Sequence, residues 1–191
     1  MGISETYYFE KKGAINTEKT LELARKRADE LGIKKVVVAS NTGKTGLMAA
    51  EVFKGLRVIV VTHSTGFGRD NEQEMKDDVR KRLEGMGVCV YTGTHAFGGI
   101  GRAVRKKLNT YQVDEIIAYA LRIVCEGFKV ACEISVMAAD AGLVRTDEEI
   151  ISIAGSGRGA DTAVVLRPAH AQTFFDMEIL EIICKPRSRT K

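Results

Sequence analysis

The sequence predicts an α/β fold, a three-layer α/β/α arrangement around a mostly parallel central sheet. Three observations lead there. The runs Val36-Val37-Val38, Val58-Ile59-Val60-Val61 and Val88-Cys89-Val90 are apolar and β-branched, too short for helices and too continuous for half-exposed strands. Amphipathic segments of helical period alternate with them. The connections are short, so a β-α-β-α-β order calls for right-handed crossovers with helices on both faces of the sheet.

In chain order, Asn16 or Thr17 caps a helix that runs to Leu31, with Leu21, Ala24, Ala28 and Leu31 at helical spacing and Gly32 as its stop. Lys35 to Ala39 is a central parallel strand, Gly46 to Lys54 a helix, and Arg57 to Thr62 a second buried strand. Glu72 to Glu84 forms a charged helix and Val88 to Tyr91 a third strand. Arg102, Arg105, Lys106 and Lys107 fall on a further helix, read as a solvated basic face. Val113, Ile116, Ile117, Ala120, Leu121 and Val124 make a clean i, i+3, i+4 stripe. Phe128 to Ala141 is apolar nearly all round, with Lys129, Glu133 and Asp140 on one narrow polar stripe, and should be the most buried helix. The C-terminal part supplies three strands, Ile150 to Ala154, Ala163 to Leu166 and Ile179 to Cys184, at least one of them antiparallel at the sheet edge; Phe174-Phe175 is read as a core pair.

A length of 191 residues favours one domain, residues 1–191, closing in a mobile basic tail at 185–191. Apolar residues at 45% and charged residues at 28% exclude wholesale disorder. The net charge of +4 and the 6% aromatic content fall short of a nucleic-acid surface, which weighs against that partner. Cys89, Cys125, Cys132 and Cys184 form no CxxC pair and no zinc spacing, so no metal site is expected, and they read as buried thiols of a reducing cytoplasm. The N-terminal ten residues lack the apolar core of a signal peptide, and no uncharged stretch could span a bilayer, so a membrane partner is not expected. The strongly apolar C-terminal strands leave room for a homo-oligomer.

Open parallel sheets bind ligands at the carboxyl ends of their strands, and four polar, small-residue loops fall there. Ser40-Asn41-Thr42-Gly43-Lys44-Thr45 precedes a helix, whose N–H groups and macrodipole favour an anion; the hydroxyls and Lys44 add donors and charge. The loop is not a nucleoside-triphosphate P-loop, because Val38 occupies the place of that motif's first glycine; a shorter cradle for one phosphate fits. Thr62-His63 and Thr92-Gly93-Thr94-His95 each set a histidine just past a strand, which favours a shared pocket. Gly157, Arg158, Gly159, Asp161 and Thr162 belong to a glycine-rich loop whose N–H groups form an anion-binding concavity with Arg158 as a second clamp. Of the 19 glycines, Gly43, Gly66, Gly68, Gly93, Gly155, Gly157 and Gly159 fall in loops at this predicted edge of the sheet, whereas Gly32, Gly55, Gly87 and Gly142 read as helix stops. Without a GxSxG elbow or an HExxH pair, no catalytic residue is assigned.

The run from Ser40 to Thr45 after a buried strand is similar to the effector-phosphate loop of the C-terminal domain of pyruvate kinase, and Gly155 to Thr162 resembles that domain's second, glycine-rich effector loop. Over nearly its full length the chain also resembles a small family of stand-alone archaeal and bacterial proteins with that fold. The segments that carry this are Thr92-Gly93-Thr94-His95, Val136 to Gly142, Gly157 to Ala163 and Ile182 to Arg187. The resemblance implies a pyruvate kinase C-terminal-domain-like fold and, from those relatives, bound flavin mononucleotide (FMN). Its phosphate would rest on Ser40, Thr42, Gly43, Lys44 and Thr45, and its ring system near His63, His95 and Arg158. Kinase activity does not carry over, because the catalytic barrel is missing. Two roles therefore stand side by side: an FMN-binding protein with flavin-dependent oxidoreductase chemistry, or a non-catalytic sensor of a phosphorylated metabolite.

Overall fold

The computed structural model of the protein describes residues 3–188. A seven-stranded sheet forms its middle layer. In chain order the elements are β1 (Tyr7–Phe9), α1 (Thr17–Leu31), β2 (Lys35–Ala39), α2 (Lys44–Val52), β3 (Arg57–Thr62), α3 (Asp77–Gly85) and β4 (Cys89–Thr92). There follow α4 (Ile100–Leu108), α5 (Val113–Leu121), α6 (Glu126–Asp140), β5 (Ile150–Ala154), β6 (Thr162–Arg167) and β7 (Glu178–Pro186). The strand order is β1-β7-β6-β5-β2-β3-β4. All neighbouring pairs are parallel except β5–β6 and β6–β7, so β6 alone runs against the rest.

The apolar runs are continuous because both sheet faces are covered. Val36 and Val38 pack with Leu21, Ala24, Phe53 and Leu83 beneath α1, α2 and α3, while Val37 points to the opposite layer. Ile59 and Val61 join Val37 against Phe128, Cys132 and Ile134 of α6. As its composition predicts, α6 is buried along most of its length. Each fully buried Leu, Ile or Phe contributes about 1.5–3 kcal/mol, so these two layers carry most of the fold's stability.

Four expectations change. The antiparallel strand is β6, inside the sheet, because the short strand β1 pairs with β7 and takes the edge instead. Lys185 and Pro186 belong to β7, paired with Tyr8 and Phe9, so they are not tail; residues 189–191 lie outside the described residues. On α5 only one side of the apolar stripe is covered: Ala118 is buried and Ile117 and Leu121 pack on the core, but Val113 and Ile116 are exposed. Phe174 packs on Phe97, whereas Phe175 points to solvent. The four cysteines are free thiols; Cys89 is half-buried and the others are buried. Desolvation pushes the Cys132 and Cys184 thiols up to about 12.

Candidate functional site

A cavity of about 1020 Å³ opens at the carboxyl ends of β2, β3 and β5. One end is built by the turn from β2 into α2. The Ser40 amide donates to the Val61 carbonyl (3.0 Å), which holds the loop to β3, and Ser40 Oγ accepts the Gly46 N–H (3.0 Å), capping the helix from outside. Gly43 sits at φ +88°, and a Cβ there would collide with Cγ1 of Val79 on α3. Only glycine lets the turn lie this tightly on α3. Thr42 and Lys44 are left exposed on the cavity wall at the positive end of α2.

The glycine-rich loop between β5 and β6 forms the facing wall. Gly157 and Gly159 take positive φ, +94° and +73°. The loop is seated on the start of α1: Ala160 N–H donates to Thr17 Oγ1 (3.0 Å), and the Thr17 hydroxyl donates to the Ala14 carbonyl (2.8 Å). Asp161 is fully buried beneath it. Its carboxylate accepts N–H bonds from Gly13 (2.7 Å) and Ser156 (3.1 Å) and the Thr162 hydroxyl (2.8 Å).

The third part is aromatic and ionisable. Asn41 Nδ2 lies 3.0 Å from Nε2 of His63, and His63 Nδ1 lies 2.9 Å from Oε1 of Glu74. An amide N–H can only donate to Nε2, which assigns the ring proton to Nδ1 and directs it at Glu74. Phe67 stacks on His95, with ring centroids 4.8 Å apart and planes 12° apart, and the Arg102 guanidinium lies 4.9 Å from the Phe67 centroid. His95 Nε2 accepts the Ser64 N–H at 3.4 Å, and its Nδ1 is 3.9 Å from Glu133 Oε1. Burial lowers the His95 pKa to about 4; Glu133 opposes this, while His63, Lys129 and Arg102 add to it. His95 is therefore neutral at pH 7. On α6, Lys129 and Glu133 are four residues apart and form a buried ion pair, and Glu133 Oε1 also accepts the Phe97 N–H (2.9 Å).

Ser40, Asn41, Thr42, Lys44, Thr45, Thr62, His63, His95, Gly157, Arg158 and Gly159 all line the cavity, so all four loops meet there, the third through His95 alone. Gly43 shapes the first loop from behind. Thr92 does not reach the wall, because its hydroxyl receives Arg80 Nη2 and contacts the Thr62 hydroxyl, both at 2.7 Å; Gly93 and Thr94 also lie off it. Asp161 and Thr162 point inward, Thr162 against Cys125 at the start of α6. Phe67, four residues beyond His63 on the same loop, also lies on the wall; residues there that no motif suggested include Glu74, Arg102, Lys129 and Glu133, together with Ala14, Ile15, Thr17 and Glu18. The polar stripe on α6 was the one signal pointing to any of them. Among the described residues no cluster of His, Cys, Asp or Glu could hold a metal ion, and no helix is long and apolar enough to cross a membrane.

Residues 18–166 match the model of the family described as pyruvate kinase, alpha/beta domain. A solved pyruvate kinase from Cryptosporidium parvum aligns over 83% of this chain at 16% identity with a TM-score of 0.44. The pyruvate kinase of that organism in complex with ADP aligns over 91% at 16% identity with a TM-score of 0.40. The chain spans 24% of the length of each of these enzymes. The matched segment begins in α1 and ends in β6, taking in the β2–α2 turn and the glycine-rich loop, and the chain belongs to the pyruvate kinase alpha/beta domain family.

Proposed function

We propose that the protein binds a phosphate-bearing small molecule in this cavity, with the phosphate at the start of α2 and the rest of the ligand extending toward His63 and His95. The observation that carries the reading is that one cavity unites a helix N-terminus bearing Thr42 and Lys44 with a glycine hairpin bearing Arg158. Its volume stands at the upper end of the roughly 300–1,000 Å³ of small-molecule sites, enough for a nucleotide-sized ligand.

FMN is the first ligand to test. The residues present fit it: the cradle suits one phosphate, the packed rings of His63, Phe67 and His95 form an aromatic wall beyond it, and Lys129 and Arg102 line the cavity beside them. Bound flavin would supply redox chemistry; the chain's own residues would hold the phosphate, orient the ring and limit water around it. Family membership favours a second reading, a sensor that binds a phosphorylated metabolite without turning it over.

Titrating FMN against the protein, followed by flavin fluorescence and melting temperature, tests the first reading. Saturable quenching with a raised Tm supports it, and neither change refutes it. In a parallel thermal-shift series, a sugar phosphate that stabilises the protein more than FMN favours the sensor. Lys44→Ala should weaken whichever phosphate binds about tenfold or more, since a charge-assisted hydrogen bond contributes about 1.5–3 kcal/mol; unchanged affinity would remove the cradle from the site.

A further inference from the structure

The face made by α4 and α5 is apolar and uncovered by any described residue of the chain. On α5, Val113 (72% exposed), Ile116 (57%) and Ile123 just beyond its end (72%) lie with Tyr119 in one stripe. Ile100 and Leu108 of α4 extend it sideways, and a shallow apolar groove runs between the helices, with Ile100, Val104, Val113 and Ile117 on its walls and Phe174 at its base. The Tyr111 and Tyr119 rings touch at 5.5 Å, joining the α4–α5 turn to the stripe.

We infer that this face is the interface of a homodimer, in which the α5 stripe of one copy packs antiparallel against the α5 stripe of the other about a two-fold axis. At their observed exposures Ile100, Leu108, Val113, Ile116, Tyr119 and Ile123 present on the order of 800 Å², which matches the roughly 800 Å² that each partner buries in a stable interface. It exceeds the roughly 300–600 Å² of the largest patch on a typical monomer. The charge arrangement suits a second copy. Arg105 bonds Glu115 (2.8 Å) and Arg122 bonds Glu126 (2.6 Å) inside the chain, so the guanidiniums bordering the stripe are already answered. Antiparallel α5 helices also set their dipoles in favourable opposition. An apolar stripe whose bordering guanidiniums are paired within the chain can meet its own copy about a two-fold axis without burying an unanswered guanidinium, as an isologous contact requires.

Sedimentation equilibrium of the full chain between about 1 and 100 µM tests this directly. The expected result is a species of twice 20.9 kDa at the upper concentrations. Ile116→Asp with Ile123→Asp should shift dissociation at least a hundredfold and leave a monomer, with far-UV circular dichroism unchanged because both side chains face solvent. Val113→Lys alone tests the same stripe from its other end, and Ile3→Asp, remote in sequence and fully exposed, should not alter the mass. A wild-type monomer at about 100 µM overturns the inference, as does a dimer that persists in both stripe variants. A wild-type monomer that instead binds phosphatidylglycerol vesicles would identify a lipid surface as the occupant and equally overturn it.

Discussion

Replacing His95 by Gln should flatten the acid side of the protein's stability profile. The folded protein holds His95 near 4 against an ordinary 6.5, chiefly because the ring is desolvated between Phe67 and α6. The unfolded chain therefore binds the extra proton between those values, and the folded state does not. Stability linked to neutral His95 is fully present above pH 6.5 and is lost as pH falls toward 4. For a shift of this size, linkage gives about 2 kcal/mol lost between pH 7 and pH 5; the ring borders the cavity, so solvent screening trims this to about 1–2 kcal/mol. The assay is urea unfolding of wild type and His95→Gln at both pH values. Contributions from groups remote from the ring cancel in the double difference, whereas Glu133, His63, Lys129 and Arg102 act on it directly and are removed only in part. A wild-type protein that loses about 1–2 kcal/mol more than the variant supports the assignment. Equal losses, or an imidazole resonance of His95 titrating near 6.5, would refute it.

Two further substitutions test the walls of the cavity. Lys129→Met leaves Glu133 buried with the Phe97 N–H as its remaining hydrogen bond and a neutral His95 beside it, and should cost about 3–5 kcal/mol in denaturant unfolding. Adding Glu133→Gln should recover a large part of that loss, which a double-mutant cycle reads as coupling. Gly159→Ala combines φ +73° with a Cβ that meets Thr17 Oγ1 and lies 2.6 Å from Ala14 Cα, so its Tm should fall well below that of Gly55→Ala. Gly55 has φ +86° and open space around it, so its substitution carries only the backbone term of about 1 kcal/mol.

The sheet was legible where patterns are local. Val36 to Val38 and Val58 to Val61 read as buried strands because each residue type agrees with a strand covered on both faces. β1 was not, because three residues carry no period and Tyr7 finds its partner in Cys184 at the far end of the chain. The two histidines and the cradle were legible because open parallel sheets gather loops at one edge. Asp161 was misread as a wall residue for an instructive reason. A carboxylate in a glycine-rich loop suits a ligand or the loop's own N–H groups equally well in sequence, and here Gly13 and Ser156 take it. Periodicity likewise identified α5 as apolar, but it cannot tell a face covered by the same chain from one left open, and Val113 and Ile116 are open. Glu74 and Arg102 reach the cavity only through tertiary placement of their segments, which no local spacing encodes.

Asp161 also bears on how fast a ligand can bind. It ties the glycine-rich loop to the segment before α1, and Thr17 ties that loop to the helix itself, through bonds internal to the protein. One wall of the cavity is therefore assembled before any ligand arrives, and ordering that wall adds nothing to the free energy of association. Encounter of the proposed ligand on this side would be governed by diffusion and charge rather than by a closing segment. Affinity differences among candidate phosphates would then report the chemistry of the molecules themselves, not their capacity to remodel the loop.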